Sequence, residues 1–396
     1  MNTDNQWWHT RKEELIALAA KKSPLYVYNE EILNDTFFDL SAIGAVNGLF
    51  YPVHANPHPK ILRKAFELNV DFMCISSDEI IRVLKDFPKL TPQRILFVPD
   101  HAQSEDFECA FHYGVHVVVN GLYPLKVWPD IFKNRKIFIC MGMNDEERGL
   151  EPSPPKGSST RNNSSLLDRD ISLFEVEAIL EHLNTLEISL KGLYIHPGTN
   201  FPPLYDINET RSFLVKASGY FPEVSTLILG NGMGLSVDRE KEIDIPFIED
   251  YLEEIRDVCP QLRIWLEPGD YMVSHAGILL AGVTEIGEED GIHYIRTNTD
   301  MKTHMHNGLH GACHQIVNLT RLADEETTIM ARIIGQEKDT GNAIDLVKIP
   351  ASVEEKDILL FTNMGAYGPG RDFDSKRRDS VSEHYMSARS MCQVKI

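Results

Sequence analysis

Residues 48–75, GLFYPVHANPHPKILRKAFELNVDFMCI, decide the fold. The stretch opens on an apolar run at 48–54, turns at Asn56-Pro57, carries a helical pattern over Lys60–Leu68 and returns to an apolar run at 70–75. Neither run alternates strictly with polar residues. Each therefore reads as a strand buried on both faces, the pattern of a parallel sheet covered by helices. The same beat continues downstream, with runs near 94–98, 116–119, 136–141, 190–196, 226–230 and 262–267. Helical patterns lie between most of them, as at Ser77–Asp86, Ser104–Tyr113 and Leu173–Leu183. Eight such strands alternating with helices predict a (β/α)8 TIM-type barrel. An open, doubly wound sheet is the competing architecture, because periodicity does not report closure.

Outside this rhythm the character changes. Residues 10–21 place Leu15, Ile16, Leu18 and Ala19 at helical spacing and stop before Ser23-Pro24. Leu25–Tyr28 is a short β-type run, followed by a helical stretch to about Leu40. Trp7-Trp8 reads as a docking contact for the first helix. Beyond residue 272, the runs Ala276–Glu285, Thr327–Ile334 and Ile358–Asn363 are β-type with turn residues between them. The expected organisation is an α/β barrel over 30–272, with 1–29 and 273–396 forming a mostly β domain. Asn144–Asp170, polar and rich in Ser, Pro, Gly and Asn, follows the fifth barrel strand. It would emerge at the face where barrels keep their active sites, as a surface loop or a lid.

The chain has 396 residues, with 39 Lys+Arg against 59 Asp+Glu, a formal charge of −20. That balance excludes a general binder of nucleic acid or anionic membranes, both of which need clustered basic surface. The six cysteines include no CxxC pair and read as reduced thiols of a cytoplasmic protein, with Cys74 and Cys140 in apolar runs as core residues. No basic stretch leading into an apolar run opens the chain, and no apolar stretch approaches the ~18–20 residues that span a bilayer.

In a barrel, chemistry sits at strand ends. The first strand ends in His54-Ala-Asn-Pro, the sixth in His196-Pro-Gly-Thr, the seventh in Gly230-Asn-Gly-Met-Gly234 and the eighth in Glu267-Pro-Gly-Asp270. The turn Gly230-Asn231-Gly232 lets backbone N–H groups approach an anion, phosphate being the natural guest. Glu267 could hydrogen-bond a protonated ring nitrogen, and His196 could stack on a flat ring. Together these residues suggest a phosphorylated aromatic cofactor.

These motifs resemble those of the fold-type III, pyridoxal-phosphate-dependent decarboxylases of the diaminopimelate and ornithine type. The matching landmarks are YPVHANP (Tyr51–Pro57), SSDEI (Ser76–Ile80), GLYIHPGT (Gly192–Thr199), GNGMG (Gly230–Gly234), EPGDY (Glu267–Tyr271), GACHQIVN (Gly311–Asn318) and Gly365-Ala-Tyr367, in order and at matching spacing. The resemblance implies the alanine-racemase-type fold. It implies that His196 covers the cofactor ring, Glu267 holds the pyridinium N–H, Gly230, Asn231 and Gly232 cradle the phosphate, and Tyr367 approaches it. It also implies a homodimer in which the segment Gln336–Asn342 enters the neighbouring active site.

The departures cluster at the same place. Where the family has its Schiff-base lysine, this chain has His54. Imidazole forms no stable imine with an aldehyde, although it serves as an acid or base. The family's strand-five arginine is Cys140, and the arginine after Glu-Pro-Gly is Asp270, an acid that would repel a phosphate dianion. The substrate arginine of the β domain is His306. In the partner loop Lys338 replaces a cysteine, Asp339 is its acidic neighbour, and Asn342 replaces an aspartate. Asp270, His306 and Asp339 are the candidate substrate contacts.

Three functions fit these residues. The first is a relative with a degenerate pyridoxal phosphate site, which binds a small molecule, amino acids included, or a related chain instead of running ordinary decarboxylation. The second is an amino-acid decarboxylase or related lyase with pyridoxal phosphate held non-covalently or by Lys338 in trans. The third is a repurposed barrel enzyme that uses His54 and His196 without the cofactor. A metal is not expected. His306, His310 and His314 share one face only on a helix, whereas a β-type segment spreads them over ~13 Å. Ser-rich 157–165 holds no nucleophile elbow.

Overall fold

The computed structural model describes residues 6–99, 101–142, 175–195, 207–230, 244–299, 314–322, 327–336, 343–368 and 381–388. The polar segment Asn144–Asp170 lies outside them. The chain forms two compact units, one running from residue 37 to residue 271, the other built from the residues before and after it.

The strands are β1 (Leu25–Asn29), β2 (Val46–Pro52), β3 (Asp71–Cys74), β4 (Ile95–Phe97), β5 (His116–Asn120), β6 (Lys136–Met141), β7 (Ser189–Ile195), β8 (Thr226–Gly230) and β9 (Arg263–Glu267). They continue with β10 (Gly277–Glu289), β11 (Ile292–Thr297), β12 (Ile316–Asn318), β13 (Thr328–Ile334), β14 (Ala343–Pro350), β15 (Ile358–Phe361) and β16 (Ser382–Met386). Helices α1 (Lys12–Lys21), α2 (Glu30–Ala42), α3 (Pro59–Glu67), α4 (Ser77–Asp86), α5 (Ser104–Tyr113), α6 (Tyr123–Val127) and α7 (Pro129–Phe132) precede α8 (Val176–Thr185), α9 (Ile207–Tyr220), α10 (Ile245–Val258) and α11 (Gly269–Val273).

Strands β2 to β9 pair in parallel in chain order, and β9 returns to β2 through Val46↔Ile264 and Leu49↔Leu266, so the sheet closes. The doubly wound alternative is thereby excluded. Local signals start the helices where the barrel needs them. Ser76 Oγ accepts the Glu79 N–H at 3.3 Å to begin α4, and Asp244 accepts the Phe247 N–H at 2.9 Å to begin α10. Gly114, left-handed at φ 75°, ends α5. The barrel lumen is a packed core. Phe50, Met73, Leu96, Val98, Val118, Phe138, Cys140, Tyr194, Ile228 and Trp265 form one buried cluster. Gly48 makes room in it, since a Cβ there would stand 2.8 Å from Trp265 Cδ1.

In the other unit, β12, β15, β10, β11, β13 and β14 lie side by side, and β1 joins β10 antiparallel and β16 parallel. The early strand thus pairs within the β unit. Trp8, Leu15 and Ala19 from the N-terminal segment pack with Val27, Leu280 and Leu360, while Trp7 donates its indole N–H to the His275 carbonyl at 3.1 Å. The tryptophan pair therefore docks the first helix. Among the described residues, no helix is long and apolar enough to cross a membrane.

Candidate functional site

The C-terminal ends of the barrel strands bring together residues far apart in the chain. His54 lies in a single 3-10 turn, Val53–Ala55, directly after β2. Its ring is half-buried, with Nδ1 shielded from solvent. The turn is clamped on both sides. Tyr51 donates its hydroxyl to the Asn56 carbonyl at 2.8 Å, Asn56 Oδ1 accepts the His58 N–H at 3.0 Å, and Arg82 donates to the Pro57 carbonyl at 2.9 Å. Lys60, by contrast, is exposed on α3.

Glu267 closes β9, the strand beside β2, and is only 2% exposed. Its Oε2 accepts the Tyr194 hydroxyl at 3.0 Å. Burying a carboxyl is costly without such a donor. Asp270, three residues on and also buried, lies in the first turn of the short helix α11, which Gly269 begins. Cys140 sits across from Asn120 on one side and Tyr194 on the other. Gly230 is buried at the end of β8, in register with Glu267. Its lack of a side chain serves the barrel interior as well as any anion, because a Cβ there would run into the Tyr194 hydroxyl.

Glu79 is a third buried acid near these strand ends, in the first turn of α4 after β3. Its Oε2 accepts the Ile75 N–H at 2.8 Å, and burial pushes its pKa up to about 7 against the pull of that bond and of Arg82. Burial, and secondarily the charge of Glu79, likewise raises the Cys74 thiol well above its ordinary value.

Of the residues singled out from the sequence, the structure brings His54, Gly230, Glu267 and Asp270 to adjacent strand ends β8, β9 and β2. Tyr367 belongs to the β unit. It adopts φ 52° just after Gly365, where a Cβ would collide with the Val273 carbonyl. His196, Asn231, Gly232, His306, Lys338, Asp339 and Asn342 lie outside the described residues. His314 turns its Nδ1 to the Thr362 carbonyl at 2.8 Å, and burial lowers its pKa. No group of three metal-ligating side chains occurs among the described residues. The sequence reading passed over Tyr194 and Glu79. Tyr194 was within reach, since it stands two residues before His196 in the sequence.

Residues 40–274 match the pyridoxal binding domain of the pyridoxal-dependent decarboxylases. The chain belongs to that family. As a pyridoxal-dependent decarboxylase homologue it is similar along almost its whole length to diaminopimelate decarboxylases. The Neisseria meningitidis serogroup B enzyme is 25% identical over 374 residues, 91% of this chain and 87% of its own. That of Campylobacter jejuni is 22% identical over 386 residues, 91% of this chain and 90% of its own. Among solved structures, the Paramecium bursaria Chlorella virus arginine decarboxylase bound to agmatine superposes with a TM-score of 0.77 at 20% identity, covering 96% of this chain and all of that one. The Helicobacter pylori diaminopimelate decarboxylase complexed with L-lysine gives 0.75 at 20% identity, covering 94% of this chain and 93% of that one. At such identity these structures establish the fold of this pyridoxal-dependent decarboxylase homologue and leave its substrate open.

The family's cofactor can be tested against the residues present. A buried carboxyl at the rim of an apolar lumen suits a protonated pyridine nitrogen, and Glu267 meets that requirement. A covalent tether requires a primary amine, and residue 54 is an imidazole. The buried carboxyl thus suits the cofactor's ring nitrogen, and the imidazole at residue 54 offers no primary amine.

Proposed function

We propose that this chain is a diaminopimelate/ornithine-type homologue with a degenerate pyridoxal phosphate site. It binds a small molecule or a related chain and does not run ordinary decarboxylation. The observation that carries this reading is His54 on the clamped turn after β2, where the family's resemblance places the imine-forming lysine. Cys140 and Asp270 support it, because a thiol on β6 and an acid just after β9 stand where the resemblance implies arginines. When bound, pyridoxal phosphate supplies an electron sink for bonds to the α-carbon of an amino acid. The chain's own part would be narrower. Glu267 accepts the ring N–H, the glycine turn from Gly230 receives the phosphate, and His54 takes or returns a proton at its ring nitrogens. Small cationic or amino-acid ligands suit a rim that carries Glu267 and Asp270. A homodimer, with Lys338 and Asp339 reaching the neighbouring site, belongs to this proposal through the same resemblance.

The test is to purify the chain with pyridoxal phosphate, dialyse it, reduce it with borohydride and map pyridoxyl peptides by mass spectrometry. Carbon dioxide release from diaminopimelate, ornithine, lysine and arginine is measured in parallel. The expected result is no pyridoxyl adduct and no release above a heat-killed control. An adduct on Lys338 with release of carbon dioxide would overturn the proposal in favour of a lyase with an amine supplied in trans. Release without bound cofactor would favour His54 and His196 as the working pair.

A further inference from the structure

Three consecutive barrel strands build one feature between them. Tyr194 lies on β7, Gly230 on β8 and Glu267 on β9. Tyr194 is in register with Ile228, and Gly230 with Glu267, so the tyrosine reaches diagonally across β8 to meet the acid. Its hydroxyl donates to Glu267 Oε2 at 3.0 Å, with both residues buried. The path is open only because residue 230 has no side chain. A Cβ there would overlap the hydroxyl oxygen and lie 2.5 Å from the ring carbon that bears it. The second carboxylate oxygen is placed by another glycine. A Cβ on Gly269 would stand 3.3 Å from Oε1 and 2.5 Å from Pro52 Cγ, so that position also stays bare. The two oxygens of Glu267 thus have separate surroundings, one under a phenol and one beside an open backbone.

We infer that Tyr194 is a positioning residue for Glu267. It fixes which carboxylate oxygen faces the ligand, and it favours the ionised form through a hydrogen bond passed over Gly230. The physical basis is that a donor to a carboxylate stabilises the charged state, while burial alone opposes it. The consequence for a ligand rests on the proposed function, in which Glu267 takes a ring N–H. The hydrogen bond and its effect on Glu267 do not. Tyr194 belongs to the buried lumen cluster with Cys140, Phe138 and Ile228, which confines its ring.

The decisive measurement is the titration of the Glu267 side-chain carboxyl by carbon-13 NMR in the cofactor-free full chain, with the signal assigned from its loss in Glu267→Gln. Tyr194→Phe keeps the ring and removes only the donor. Its Glu267 midpoint is expected to rise by about one pH unit. Gly230→Ala, which pushes the hydroxyl aside, is expected to raise the midpoint similarly, and the double variant should go no further than the larger single effect. Coincident midpoints in wild type and Tyr194→Phe, with circular dichroism showing both folded, would overturn the inference, as would additive shifts in the double variant. A second titration follows the absorbance of added pyridoxal phosphate. Wild type is expected to bind it about tenfold more tightly than Tyr194→Phe, which corresponds to one lost charge-assisted hydrogen bond. Wild type that fails to bind the cofactor would sink the proposed pocket while leaving the carboxyl comparison valid. Equal binding with shifted midpoints would confine Tyr194 to the acid alone.

Discussion

The hydroxyl of Tyr51 donates to the carbonyl of Asn56, 2.8 Å away, and so ties the end of β2 to the turn that carries His54. Both partners are buried, and the Tyr51 ring also meets Phe37 edge-on at 5.9 Å. Removing the hydroxyl leaves a buried carbonyl short of a donor. Tyr51→Phe is expected to cost ~1–2 kcal/mol in urea unfolding with an unchanged denaturant slope. A neutral result would show that water replaces the donor.

Glu79 makes stability depend on pH. Its folded pKa, about 7, lies above the ordinary 4.5, so between those values the folded chain holds a proton that the unfolded chain has released. Its contribution is therefore fully present below the lower value and is lost as the pH rises to the upper one. Relative to Glu79→Gln, wild type is expected to lose on the order of 2–3 kcal/mol between pH 5 and pH 8. Urea midpoints of both chains at the two pH values decide it, and parallel behaviour would contradict the assignment.

Gly48 lies against Trp265, a member of the lumen cluster. The indole is also 5.0 Å from the Phe50 ring and 5.5 Å from the Phe138 ring, which leaves it nowhere to retreat. Gly48→Ala is expected to destabilise by ~1–3 kcal/mol through overpacking, read as a lower thermal midpoint. An unchanged midpoint would mean that the aromatic cluster has slack.

In the β unit, Asp357 accepts three hydrogen bonds. Asn318 Nδ2 at 2.9 Å, Arg321 Nε at 2.8 Å and the Glu354 N–H at 2.9 Å all converge on its Oδ2. Asp357→Ala strips all three of their acceptor in a site only 4% exposed, and a loss of about 3 kcal/mol is expected. Chemical denaturation measures it. A loss under ~1 kcal/mol would show that solvent reaches the donors.

The proposed pocket can be challenged by placing an amine at residue 54. His54→Lys is expected to form a borohydride-stable pyridoxyl adduct at residue 54, which wild type lacks, detectable by peptide mapping. A folded variant without the adduct would mean that residue 54 does not face the cofactor position.

The legibility of this chain followed the range of the physics involved. The strand limits at 136–141 and 226–230 and the helix limits at Ser77–Asp86 and Ser104–Tyr113 match their sequence patterns residue for residue. Burial on one face, a serine cap and a terminating glycine are all local signals. The sequence offers only approach to an anion as a reason for Gly230, and the structure adds a steric one. Its steric reason is Tyr194, a residue 36 positions away that no local pattern connects to it. Glu79 was equally hidden, because its elevated pKa comes from burial under packed elements and not from its neighbours in the chain.

Composition, periodicity and motif order alone determined the alternation of strands and helices, the separate β-rich part and the imidazole of His54 at the end of the first barrel strand. Each depends on residue type or on spacing within a few turns of chain. Closure of the sheet through β9 and β2, the burial of Glu267 and the hydrogen bond that Tyr194 carries to it over a bare glycine were decided only by the tertiary structure. Strand pairing brings together side chains 73 residues apart, and the strength of a polar contact depends on how completely the surrounding fold removes water from it.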